Sequence, residues 1–295
     1  MNAKIIIAVT VALLAVVGFV TVSDSEDVSA TTDAEISAAF EDGGSLTLTS
    51  NVTINGGIVQ NDLQLDLNGY TITTTGQIVV NADLTIMDSR GDGEIESGIA
   101  THMIAVNNPG SLTIESGTFS LFNTTVNTSI VYAQYADVTV NGGSFIRHGD
   151  DEGTSAGSYC IRVYYADLYI ENATILSNNN GVSVSGHISY DSETQIATGS
   201  EAHAVIRDSH ITAEYYGVAI FGYKGSNDTV TVDLYDNTID AGVGISSNAS
   251  SGKYAGFTIN VHSGMFTGDN GIYGPGDGLY NIEGGTIDVT GTAIR

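Results

Sequence analysis

The sequence holds no tryptophan, a single cysteine, two prolines and only eight Lys plus Arg in 295 residues. Each shortage removes a class of protein. One thiol, Cys160, excludes a disulfide framework within the chain. In the alternating run "SYCIRVYY" it reads as a small buried hydrophobe and not as a nucleophile. Eight basic residues against 34 Asp plus Glu give a formal charge of −26. That balance leaves no basic patch for a phosphate backbone, which argues against nucleic acid, and it disfavours an anionic membrane surface. It suits a soluble surface that repels its own copies. Two prolines beside 36 glycines describe a turn-rich ordered chain and not a Pro-rich disordered one. Catalytic signatures are scarce as well. The sequence has no G-x-S-x-G, no H-E-x-x-H and no phosphate loop. It lacks the paired-carboxylate signature of a glycoside hydrolase, and its six histidines show no metal-ligand spacing.

What is present begins with "MNAKIIIAVTVALLAVVGFVTV". Lys4, an apolar run from Ile5 to Val22 and the small-residue site "VSA" ending at Ala30 describe an export signal over residues 1–30. A run of about eighteen apolar residues is also long enough to stay as an N-terminal membrane anchor. Either way the remainder is expected outside the cytoplasm, secreted or at the cell surface. Six Asn-X-Ser/Thr triplets agree with export and are candidate glycan acceptors: Asn51, Asn123, Asn127, Asn172, Asn227 and Asn248.

Residues 31–44, "TTDAEISAAFEDGG", predict a short helix. Thr32 with Glu35 makes a capping box, Ile36, Ala39 and Phe40 share one face, and Gly43 and Gly44 end the turn. From residue 45 to 295 one eight-residue phrase keeps returning. It is "LTIESGTF" at Leu112, "VTVNGGSF" at Val138, "LYIENATI" at Leu168, "AVIRDSHI" at Ala204, "VDLYDNTI" at Val232, "INVHSGMF" at Ile259 and "YNIEGGTI" at Tyr280. Apolar residues two apart make a strand with one buried face, and the polar and small residues after them tolerate tight turns. The third residues of the phrases, from Ile114 through Val140, Ile170, Ile206, Leu234 and Val261 to Ile282, are 21 to 36 residues apart. A period in that range means an array. A second motif follows the phrase, as "MIAV" at Met103, "CIRV" at Cys160, "GVSV" at Gly181, "GVAI" at Gly217 and "GVGI" at Gly242. Like phrase over like phrase aligns every apolar column. The expectation is therefore an all-β parallel solenoid of about nine or ten coils, with the helix covering its first layer.

The phrases "LTIMDSRGDGEI" (Leu84 to Ile95), "LDLNGYTI" (Leu65 to Ile72) and "LTIESGTF", behind an export signal and "DAEISAAF", resemble the adhesin-like surface proteins of gut microbes. These fall within the right-handed parallel β-helix, or pectin-lyase-like, superfamily. The resemblance implies a single-stranded right-handed parallel β-helix at the outer surface, with glycans or cell-surface proteins as partners, and together with the missing catalytic signatures it leads to the expectation of a non-enzymatic protein. The superfamily also contains polysaccharide lyases and hydrolases that act on acidic glycans, so an enzyme is the alternative. A self-assembling surface-layer or fibre subunit, stacked end to end through its last coil, is a further one.

On the lyase reading the catalytic candidate is Arg162, which alternates with Ile161 and Val163 and so points outward. The preceding run "RHGDDEG" offers Asp150 and Asp151 as oxygen ligands for Ca²⁺, the one cofactor considered; a solvated acidic loop is the other reading. On the binding reading the ligand residues are Tyr132, Tyr135, Tyr164 and Tyr165. Tyr135 in "YADVTV" and Tyr165 in "YADLYI" are equivalent in successive coils, and exposed Tyr rows suit sugars or proteins. Rings packed as a ladder that holds register are the alternative. Asp83, Asp137 and Asp167 share one place in the repeat. They would repel unless each Asp caps its own corner or Ca²⁺ lies between them.

Overall fold

A strand with one apolar face cannot bury that face alone, and here the solution is repetition. The computed structural model describes residues 28–30, 32–123, 127–149, 157–186, 189–190, 197–198, 201–221, 230–247, 255–274 and 277–295. They form an all-β, solenoid-like stack of parallel strands with one helix. An 11-stranded sheet makes the first face and includes Gly44–Leu48, Asp83–Met87, Val138–Val140, Leu168–Glu171, Ala202–Arg207, Val230–Tyr235, Ala255–Val261 and Asp277–Ile282. A 16-stranded sheet makes the other two. One limb, the second face, carries Thr118–Phe122, Gly143–His148 and Ala173–Ser177; the other, the third face, carries Ile104–Asn107, Ser129–Gln134, Tyr159–Tyr164 and Asn180–Ser185. The long strand His210–Phe221 belongs to both limbs and joins them. The short pair Ser189–Tyr190 and Ala197–Thr198 is antiparallel.

The register follows the repeat. Ile86, Ile114, Val140, Ile170, Ile206, Leu234, Val261 and Ile282 lie one over the next on the first face. On the second, Phe119 stands over Phe145, rings 5.2 Å apart and nearly parallel, and Ile175 and Ile211 continue the column. On the third, Ile104, Val131, Ile161, Val182 and Val218 do the same. Burying each such side chain favours folding by about 1.5–3 kcal/mol. Ile282 stands at the end of its column and is 43 % exposed, whereas the rest of the column is buried.

One copy of the second motif sits elsewhere than its spelling suggests. "GVGI" at Gly242 reads as a match to "GVAI" at Gly217, yet Val218 pairs with Ile245 and Tyr216 with Val243. The register shifts between Ala213 and Tyr216, where one strand carries an extra residue.

The helix Asp33–Asp42 has Thr32 as N-cap with the reciprocal Glu35 contact, and it buries Ile36, Ala39 and Phe40. Phe40 lies on Gly57, where a Cβ would come within 2.6 Å of the ring. Val28–Ala30, within the stretch expected to be an export signal, forms a strand beside Leu46–Leu48.

Corners are held by side chains reaching across layers. Two of the three repeated Asp residues, Asp83 and Asp137, are satisfied this way, by a donor from the neighbouring layer. The Asp137 carboxylate accepts from the Asp167 N–H at 3.0 Å, and Asp83 accepts from the Ser111 hydroxyl at 2.8 Å. At another corner, the buried Asn237 donates to the Ile206 carbonyl at 2.6 Å and accepts from the Ser209 N–H at 3.1 Å. The Ser209 hydroxyl in turn accepts from the Ala173 N–H. Replacing Asn237 by Ala leaves buried backbone groups unpaired and should lower stability by about 1–3 kcal/mol. An unchanged urea midpoint for Asn237→Ala would show that these corner ties contribute nothing.

Candidate ligand-binding face

The third face differs from the others in charge. Its strands Gly57–Val59, Ile78–Val80, Ile104–Asn107, Ser129–Gln134, Tyr159–Tyr164 and Asn180–Ser185 contain no Asp or Glu. The stretches of the longer strands that continue it, residues 216–221, 243–247 and 270–273, contain none either. In a chain of charge −26 this is a separate chemical surface. Its residues alternate, so Ile161 and Val163 point into the core while Arg162 and Tyr164 point out.

Outward residues of successive layers then meet. Tyr132 lies beside Arg162, and Gln134 beside Tyr164. The Tyr132 and Tyr164 rings are 5.7 Å apart, those of Tyr164 and Tyr165 5.8 Å, and those of Tyr165 and Tyr135 4.9 Å. All five side chains singled out in the sequence therefore form one contiguous cluster. Within it they divide. Tyr135 and Tyr165 sit at a corner with left-handed φ of 56° and 57°. Their rings are stacked; Tyr165 is only 8 % exposed and Tyr135 38 %, so the pair forms a ladder between layers with its Tyr135 end open to solvent. Tyr132 and Tyr164 are half-buried and border the open face.

Arg162 is fixed by this cluster. Its Nη1 donates to the Gly157 carbonyl at 3.1 Å and its Nη2 to the Tyr164 hydroxyl. Its guanidinium carbon lies 4.9 Å from the Tyr164 ring centre and 5.5 Å from that of Tyr159, a cation–π arrangement. Among the described residues no carboxylate pairs with it, and its Nε–H is buried without an acceptor. Two members went unmarked in the sequence. Tyr159 is buried beside the guanidinium, and burial pushes its hydroxyl pKa up. His102 stacks on Tyr132, ring centres 4.1 Å apart. Burial, reinforced by Arg162, lowers its pKa to about 4, so the imidazole is neutral at physiological pH. Farther along the face Tyr216, Asn270, Tyr273 and Arg295 border a cleft of about 230 Å³.

The remaining candidates are scattered. Cys160 is buried, and its thiol is pushed up to about 12 by burial. Asn51, Asn127 and Asn172 are exposed, the last two with left-handed backbone. Asn123 is half-buried, with its amide donating to the Gly98 carbonyl at 3.1 Å. Asp150, Asp151, Asn227 and Asn248 lie outside the described residues. Among the described residues no group of His, Cys, Asp and Glu side chains is placed to hold a metal ion. Arg147 is an unforeseen case. It is fully buried, with Nη1 on Asn178 Oδ1 at 3.2 Å and Nη2 on Thr128 Oγ1 at 3.2 Å. The alternation in "SFIRH" places it on the inward side with Phe145.

The lowered His102 pKa has a signed consequence. Between its ordinary 6.5 and about 4 the unfolded chain binds a proton that the folded chain does not, so stability falls as pH drops through that interval. In a histidine NMR titration His102 should stay neutral to about pH 4, and Arg162→Ala should move its midpoint upward. A His102 that titrates near 6.5 in the native protein would contradict the burial described above. Comparison with protein-family models, with characterised proteins and with solved structures finds no match, so the chemistry of this face is the ground for a function.

Proposed function

We propose that the chain is a non-enzymatic, adhesin-like protein, secreted or held at the cell surface, that binds glycans along its third face. Its fold on this reading is a right-handed, single-stranded parallel β-helix of ten coils. The ten strands of the first face that follow the helix support the count, and the strong right-handed preference of parallel crossovers supports the hand. The observation that carries the functional reading is the cluster of Tyr132, Tyr164, Arg162 and neutral His102 on a face whose described strands carry no carboxylate. Phenol faces pack on the C–H faces of sugars; hydroxyls and a neutral imidazole both donate hydrogen bonds to sugar hydroxyls and accept from them, and the guanidinium donates. The rigid backbone keeps these groups in place before a ligand arrives, which reduces the entropy lost on binding.

A lyase acting on acidic glycans is the second reading, favoured by one observation: Arg162 has no carboxylate partner among the described residues and shares its cluster with a neutral imidazole. A glycan array with the exported portion of the chain separates the two, together with an absorbance assay for unsaturated product on uronic-acid polymers with Ca²⁺. Binding without product is expected, with affinity reduced about tenfold or more in Tyr132→Ala and Arg162→Ala. An empty array, or variants that bind as well as wild type, removes the binding reading; product formation that is lost in Arg162→Ala replaces it with the lyase.

A further inference from the structure

A second polar cluster lies on the first face, where the last layers meet. Asp233 comes from Val230–Tyr235 and His203 from Ala202–Arg207; His262 follows Ala255–Val261 and Glu283 follows Asp277–Ile282. Asp233 Oδ2 is 3.0 Å from His203 Nε2, and Oδ1 is 3.1 Å from His262 Nε2. The other nitrogen of His262, Nδ1, is 2.8 Å from Glu283 Oε2. The His262 ring lies flat on Tyr235, centres 4.2 Å apart. Asn260 donates to Asp233 Oδ1 at 2.8 Å, and Asn281 donates to Asn260 at 2.7 Å. The titratable groups facing His262 are thus Asp233 and Tyr235 from one neighbouring strand and Glu283 from the other. His203 reaches it only through Asp233.

Carboxylates only accept hydrogen bonds. An imidazole with an ionised carboxylate oxygen at each nitrogen satisfies both only by donating from both, so this geometry favours the protonated ring. A neutral ring would turn a lone pair toward one of the two oxygens. The strand on the far side is weakly held by packing. Asp277–Ile282 pairs along one edge only among the described residues. Leu279 is 55 % exposed and Ile282 43 %. With few buried contacts, its local opening is easy, and its polar ties are a large share of what holds it. Those ties are Glu283 on His262, Asn281 on Asn260, and the Tyr280 hydroxyl with Ser247 at 2.8 Å.

We propose that His262 is a pH-operated clasp, holding the strand Asp277–Ile282 on the rod while its ring is protonated and loosening it as the ring loses its proton. Asp233 first, then Glu283, raise the folded pKa of His262 above its ordinary 6.5. The folded chain therefore keeps a proton that the unfolded chain gives up. The contribution is complete below pH 6.5 and is lost as pH rises through the raised value. Loosening bares the edge of Ala255–Val261, a row of backbone groups able to pair with an extended chain. The clasp is independent of the glycan reading, since it lies on a different face.

Hydrogen exchange of the Asp277–Ile282 amides between pH 6 and 9, corrected for intrinsic rates and referenced to Leu168–Glu171, tests it. Protection of Asp277–Ile282 should fall by about tenfold across this range, with Leu168–Glu171 unchanged. His262→Gln should be poorly protected at every pH. Glu283→Gln, which alters only an exposed side chain and keeps the imidazole, should shift the transition to lower pH. Protection that does not vary with pH in the wild type, or a Glu283→Gln profile that overlays it, overturns the clasp.

Discussion

The constraint on which the structure rests is that each layer's backbone hydrogen bonds are made by the layers above and below it. A parallel strand in this stack satisfies its N–H and C=O groups only through its neighbours. That fixes the stacking distance at about 4.8 Å and forces equivalent residues to lie over one another. The aliphatic columns, the Phe119–Phe145 stack and the Tyr135–Tyr165 ladder are all consequences of that one geometry. It also makes the ends special. At the first layer, Ile36, Ala39 and Phe40 of the helix supply the apolar cover that a further layer would otherwise give.

Stacking like on like is simple for hydrocarbons and difficult for charges. The first face shows how the difficulty is resolved. Where acidic residues recur, the carboxylate is given a donor from the adjacent layer, as Asp137 takes the Asp167 N–H. Where they would otherwise accumulate, the sign alternates. Glu171 is followed in the next layer by Arg207, 3.6 Å away, and then by Tyr235. His262 is the same device at its tightest, an imidazole between two carboxylates in three layers that is a cation when protonated. Because its charge depends on pH, this is the point where alternation can fail as pH rises.

The sequence discloses what repeats and conceals what crosses the repeat. The column from Ile114 to Ile282 and the Thr32 capping box can be read directly, since spacing and residue type suffice. The clustering of Tyr132, Tyr135, Arg162, Tyr164 and Tyr165 is legible because equivalent phrases must stack. His102 is not, because it lies in a turn ahead of its strand and meets Tyr132 only across a layer. The set His203, Asp233, His262 and Glu283 is concealed for a similar reason. From His203 through Asp233 to His262 they advance along the strand as they climb the stack, and only Glu283 lies in the same column as His262, so no single column contains all four. The "GVGI" segment misleads through a local shift in register, which composition cannot reveal. Arg147 was legible in principle: two residues after Phe145, it falls on the inward side, where hydrophobic expectation discourages placing an arginine.

Stacking does not explain the charge of the third face. The first face proves that this architecture accommodates carboxylates in quantity, given neighbouring donors. The described strands of the third face have such donors and no carboxylates: Arg162 offers its guanidinium, and Tyr132 and Ser183 occupy the positions beside it in the adjacent layers. An acidic residue at either position would complete an ion pair and satisfy a half-buried cation whose desolvation otherwise counts against folding. The cation is instead held between two phenol rings, which steady it without neutralising it, and the adjacent imidazole is kept uncharged. Folding alone favours the acid. A face on which Arg162 must stay able to meet a second molecule favours its absence, and that is the argument for the ligand surface proposed above over one more solution to the packing of a coil.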